Sequence, residues 1–189
     1  MLLNEKGIIT ISGVPLYKID SVYVAIISTD TLNVTDVGNT IELFRKMFPA
    51  VMIQGINPKH VFGLGHIFEV IQIVLESNDR NIKIARRLEM ELLLRLICSN
   101  QVDKALDIGG IKNNGNGIGC FILLSENKSL IINAIKYMRK MFVNQNLSLL
   151  NATREKMADI CHRIDLTCSN YNKEEFLKIL TEKAVLVSQ

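Results

Sequence analysis

Tryptophan is absent from this 189-residue chain, proline and histidine occur three times each, and aromatic residues make up 6% of it. So few rings leave no evident stacking platform of the kind RNA-recognition sheets use for bases. Three histidines without any argued geometry give no Ser/His/Asp or Cys/His catalytic arrangement. His60 and His66 stand six apart, unlike the four-residue spacing that places two zinc ligands on one helix face. The four cysteines, Cys98, Cys120, Cys161 and Cys168, lack paired metal spacing. They read as reduced, buried thiols of a cytoplasmic protein. No apolar run approaches the roughly 18 residues that read as a membrane span. The first residues, MLLNEKGII, carry Glu5 too early for a signal peptide.

The glycine motifs also fail. Gly63-Leu64-Gly65 lacks the third glycine of a dinucleotide fingerprint and lies inside a helical pattern, where small residues let helices approach closely. Gly110 and Gly115 have the spacing of a phosphate loop, but Asn116-Gly117 stands where Lys-Ser/Thr belongs. Nothing in these patterns calls for a metal, a cofactor or a small-molecule substrate. The expectation is a protein that is not an enzyme.

What is present is a core. Hydrophobic residues make up 48% of the chain, enough for a single domain over residues 1–189. The net charge is +3, and segments 1–56, 57–112, 113–143 and 144–189 carry −1, +1, +3 and 0. There is no polybasic tail, so any nucleic-acid contact must rest on a local patch.

Gly7–Ser12 and Ser21–Ser28, rich in β-branched residues, predict two strands that pair. Thr35-Asp36 caps a helix running to Phe48, and residues 50–56 form a third strand. Residues 119–125, GCFILLS, predict a fully covered strand. Ser125-Glu126-Asn127 starts a helix with Lys136, Arg139 and Lys140 on its outer side, and Asn151 to Thr153 caps a further one. A last helix runs from Lys173 to Lys183, followed by the apolar run Ala184–Val187, which must be docked or shared with a partner. The fold class is α+β: a small, largely antiparallel sheet packed with several helices, including a buried central helix.

The stretch from Asn57 to Lys112 holds that central helix. Asn57 and Pro58 suit a cap and first helical position, and apolar residues recur at helical spacing through Val74. Ser77-Asn78-Asp79 reads as a turn, followed by a second helix from about Arg80 to Cys98 and a third ending at Gly109-Gly110. On the second helix Arg87, Glu91 and Arg95 are spaced four apart. From spacing alone that is first a surface charge ladder; the sharper alternative is a fixed arginine row aimed at a phosphate.

The combination Asn57-Pro58…Gly65-His66-Ile67, Asn81…Ala85-Arg86…Glu91-Leu92-Leu93, Ser99-Asn100-Gln101-Val102-Asp103-Lys104-Ala105 and Gly110-Ile111-Lys112 resembles the kinase-binding accessory subunit family of the KEOPS complex, whose animal member is called PRPK-binding protein. The closing run from Glu182 to Val187 is similar too. The resemblance covers nearly the whole chain and is carried by the combination rather than by any one piece. It departs from the pattern at Val102, where Ile is usual, and at Lys183-Ala184.

The resemblance implies an archaeal-type, cytoplasmic, non-catalytic subunit. Its partners are the complex's small atypical kinase/ATPase and the single-stranded 3′ CCA end of tRNA, in support of threonylcarbamoyladenosine modification. On that basis the expected RNA contacts are Lys59 and His66 on the first helix and Asn81, Lys83, Arg86 and Arg87 at the start of the second, where helix N-termini and guanidinium groups suit phosphates. Val185 and Val187 are the expected partner contacts. Two alternatives are an adaptor of a kinase with no RNA contact, and a small-molecule enzyme with a site near His60/His66.

Overall fold

The computed structural model describes residues 9–32, 34, 36–112, 117–140, 144–167 and 171–187. The chain divides into two compact units, each built from two stretches of sequence: Met1–Gly55 with Lys112–Asn146, and Ile56–Ile111 with Leu147–Gln189.

The first unit carries the sheet. Its strands are β1 (Ile9–Ile11), β2 (Val14–Ile19), β3 (Val22–Thr29), β4 (Met52–Ile56) and β5 (Gly119–Ser125), in the order β1-β2-β3-β5-β4. The pairs β1/β2, β2/β3 and β3/β5 are antiparallel, as expected for an α+β fold. Ser12 and Gly13 both have positive φ, at 51° and 82°. That is the signature of the two-residue turn whose twist suits a tight hairpin, and it links β1 to β2. Strand β2 was not expected, and it corrects the expected pairing of the first two strands: β2 stands between β1 and β3, which do not pair with each other. Pro15 stands near the start of the strand, opposite Thr10, where its missing N–H is tolerated.

Strand β3 pairs on both sides, with Ala25 opposite Leu16 on β2 and opposite Leu123 on β5. Ile26 and Ile27, which point to opposite faces, are both fully buried. The helices of this unit are α1 (Val37–Met47) and α5 (Lys128–Met138). Asp36 caps α1 by accepting from Asn39 N–H, and Asn127 caps α5 by accepting from the N–H groups of Ser129 and Leu130. Helix α5 packs against β1, β3 and β5. Thr35 and Met141 lie outside the described residues.

The second unit is helical: α2 (Gly63–Asp79), α3 (Leu88–Ile97), α4 (Val102–Gly109), α6 (Arg154–Arg163) and α7 (Lys173–Leu186). Thr153 caps α6, and Asn172 with Glu175 forms a capping box on α7. Helix α2 packs on α3 and α7, and α3 also packs on α4 and α7. Gly65 permits part of this, since a Cβ there would meet Leu177 Cδ2 at 3.2 Å. Phe62 and Phe176 meet edge to face, centroids 4.8 Å apart, in a core shared with Met157, Ile160 and Leu180.

Around α2 and α3, three boundaries differ from expectation. Pro58–His60 is a single 3-10 turn capped by Asn57, and α2 begins only at Gly63, which has φ +85°. Helix α2 then runs through the expected turn at Ser77-Asn78-Asp79. Residues 80–87, expected as helix, are a loop that Asn81 opens at φ +55°. Glu91 explains the loop: its Oε2 accepts the N–H groups of Ile84 and Ala85, at 2.9 and 2.7 Å, so a side chain replaces the carbonyls a helix would use. The cysteines differ too. Cys98 and Cys120 are outside any disulfide, as expected, but Cys161 is disulfide-bonded, so it is not a reduced thiol; Cys168 lies outside the described residues.

Candidate functional site

The row Arg87, Glu91, Arg95 is neither a surface ladder nor a phosphate comb. Glu91 is fully buried and Arg95 nearly so. Arg95 Nε donates to Glu91 Oε1 at 2.8 Å, and its Nη1 donates to the carbonyl of Ala184, at 2.7 Å, near the end of α7. Arg87 stands outside this group as the residue before α3, exposed and ion-paired with Glu89 at 2.6 Å. The row was misread because a periodic pattern gives spacing but not the helix start. With α3 beginning at Leu88, Glu91 and Arg95 turn inward.

The expected RNA contacts fall into separate places. Asn81, Lys83, Arg86 and Arg87 share the loop between α2 and α3. Lys59 is exposed at the other end of α2, an axial rise of about 24 Å for a helix of that length. Lys83 Nζ donates to Asn78 Oδ1 at 2.7 Å, which draws it back toward α2. Arg86 is exposed, with no ion pair among the described residues. It shares that freedom with Lys59, and is the least encumbered cation of the loop between α2 and α3.

His66 must leave the set of RNA contacts. It is completely buried, and its Nδ1 accepts the N–H of Phe62 at 3.3 Å. Burial, with help from the charge of Arg163, pushes its pKa down to about 3, so the ring is neutral and its proton sits on Nε2. A ring sealed in the core of its unit cannot meet a nucleotide from solvent. A lone histidine near a helix start is more often a capping or core residue than a ligand, and at His66 that plainer reading holds.

The residue that sequence reasoning missed is Arg163, at the end of α6. Its Nη1 lies 2.9 Å from His60 Nδ1. Desolvation first, and Arg163 second, lower the His60 pKa to about 4, so a neutral His60 accepts that hydrogen bond. Nearby, Lys156 does structural work: its Nζ donates to the carbonyls of Pro58, Val61 and Leu149 at 2.8, 3.1 and 2.5 Å. The first two bonds fasten the 3-10 turn to α6, and the third ties in the segment Leu147–Leu150.

The expected partner contacts split at the end of α7. Ala184 is fully buried, whereas Val185 and Leu186 are 46% and 51% exposed and Val187 is half-buried. The apolar run is thus anchored at its first residue and presented at the next two.

No family model and no curated protein matches this chain. Among the described residues, no helix is long and apolar enough to cross a membrane, and no group of His, Cys, Asp or Glu converges as metal ligands would.

Proposed function

We propose that this protein is a non-catalytic accessory subunit of the KEOPS type. It binds a small atypical kinase/ATPase and the 3′ CCA end of tRNA in the cytoplasm, in support of threonylcarbamoyladenosine modification. The observation that carries the reading is the end of α7, where Arg95 holds Ala184 inward and Val185 and Leu186 face out. Contiguous exposed apolar residues on a rigid helix suit a protein partner. The exposed Arg86, beside Asn81 on the same loop, supports the RNA part.

The test is co-purification of the full chain with the small kinase/ATPase subunit, followed by binding of intact and CCA-trimmed tRNA by chain and complex. A stable pair with tRNA affinity that depends on the CCA end is the expected result. Absence of a complex at micromolar concentrations removes the partner reading.

A second reading is an adaptor of a kinase without RNA contact. It draws on the spread of the expected contacts: Lys59 at one end of α2, Lys83 tied to Asn78, Arg87 tied to Glu89 and His66 buried. Salt-sensitive tRNA binding by the isolated chain separates the two.

A further inference from the structure

Arg163 is a half-buried cation without a carboxylate partner among the described residues. Its Nη1 is engaged by His60, but Nε and Nη2 are buried and meet no hydrogen-bond acceptor among the described residues. Those two nitrogens form the side edge of the guanidinium, the fork that grips a carboxylate or phosphate through two parallel bonds. A buried charged donor left unpaired is costly, and native proteins rarely keep one without a water or ion to meet it. His60 supplies no counter-charge.

The same arginine lines a cavity of about 390 Å³ in the helical unit. Lys104 of α4 and Lys183 of α7 stand on its wall, with Asp165 as the opposing acid and Asn100 and Leu186 completing a mixed polar and apolar lining. Three cations against one carboxylate leave a net charge of about +2, which a dianion matches better than a monoanion. The volume suits a small organic molecule rather than a bare ion.

We propose that this cavity is a binding site for a small-molecule phosphate monoester, held by the Nε/Nη2 edge of Arg163 with Lys104 and Lys183 around it. The edge is covered in the present structure, so binding turns the outer torsions of Arg163 toward the cavity, with the His60 contact as the resting position. The loop Asn81–Arg87 does not line this cavity, so the site stands independently of the RNA reading.

The experiment is titration of the full chain with inorganic phosphate at constant ionic strength, read by calorimetry and by phosphorus NMR line width, with acetate as the monoanionic control. We expect saturable one-to-one phosphate binding at least tenfold tighter than acetate. Arg163→Lys keeps the charge but loses the fork, and should weaken phosphate at least tenfold. Asp165→Asn removes the opposing charge and should tighten it severalfold; asparagine suits the φ of +52° at that position. Unsaturable binding, equal affinity for acetate, or an unchanged Arg163→Lys variant overturns the proposal. Should Arg163→Lys not fold, Asp165→Asn and the pair Lys104→Gln/Lys183→Gln decide it: phosphate affinity unchanged in both rejects the site.

Discussion

Glu91 and Arg95 form an ion pair at 2.8 Å in the interior of the helical unit, with side chains 0% and 1% exposed. The pair links three parts of the chain. Glu91 holds the loop before α3 through Ile84 and Ala85, and Arg95 reaches across 89 positions of sequence to Ala184. Two residues that a helical wheel would place on a surface stripe are instead the polar fastening of a core.

Removing one member of such a pair strands the other without a counter-charge. Arg95→Leu should therefore destabilise the protein by about 3–5 kcal/mol. Glu91→Leu should cost at least as much, because it also strips the acceptor from two backbone N–H groups. Urea unfolding measures both; a loss below about 1 kcal/mol for either would contradict the buried geometry.

Stability should fall on mild acidification, and His66 should account for part of it. Its folded pKa of about 3 lies below the ordinary histidine value of 6.5, so the unfolded chain takes up the proton first. The contribution is complete above pH 6.5 and is lost as pH falls from there toward 3, by at most about 1.4 kcal/mol per pH unit. His60, with a folded value of about 4, acts in the same direction over a narrower window. Replacing His66 by Gln should flatten the stability profile between pH 6 and 4, whatever it does to stability at neutral pH. An unchanged slope there would show that His66 is protonated or exposed in solution.

The elements that could be read in advance are those fixed locally. Asp36, Asn127 and Thr153 cap the helices expected to start there, because a cap is set by a side chain and an N–H two or three residues away. The α+β class and the covered strand at 119–125 also follow from local composition. The break between α2 and α3 does not, since it depends on which way Glu91 turns, a tertiary choice that overrides helix propensity. Arg163 was illegible for the same reason: its partner His60 lies 103 positions away. A single arginine at the end of a helix carries no signal of that distant neighbour.

At the end of α7, truncation and surface substitution should give different results. Deleting residues 184–189 removes the carbonyl that accepts from Arg95 and should destabilise the whole unit. Val185→Ser with Leu186→Ser leaves that carbonyl in place, and at exposed positions should change stability by about 0.5 kcal/mol or less per residue. The same double variant should lose binding to the kinase/ATPase partner. If it binds as well as the parent, the exposed end of α7 is not the docking surface, and another face of the protein must be sought.

The RNA reading concentrates on Arg86. Lys83 and Arg87 each hold a partner, so recruiting them to a phosphate means giving up a bond to Asn78 or Glu89; Arg86 gives up no ion pair among the described residues. Arg86→Glu should therefore weaken tRNA binding more than Arg87→Glu, with the fold and the kinase interaction intact. Removing one cation–phosphate pairing should flatten the plot of log K against log salt by about 0.7 for a single strand. Trimming CCA from the tRNA should cost the parent protein as much as Arg86→Glu does, and should cost that variant little more, because both changes abolish the same interaction. Lys59, at the far end of α2, should behave additively with Arg86 if the strand runs the length of the helix. Equal affinity of the parent protein for trimmed and intact tRNA would leave Arg86 as an ordinary solvated cation, and the adaptor without RNA contact would become the better account.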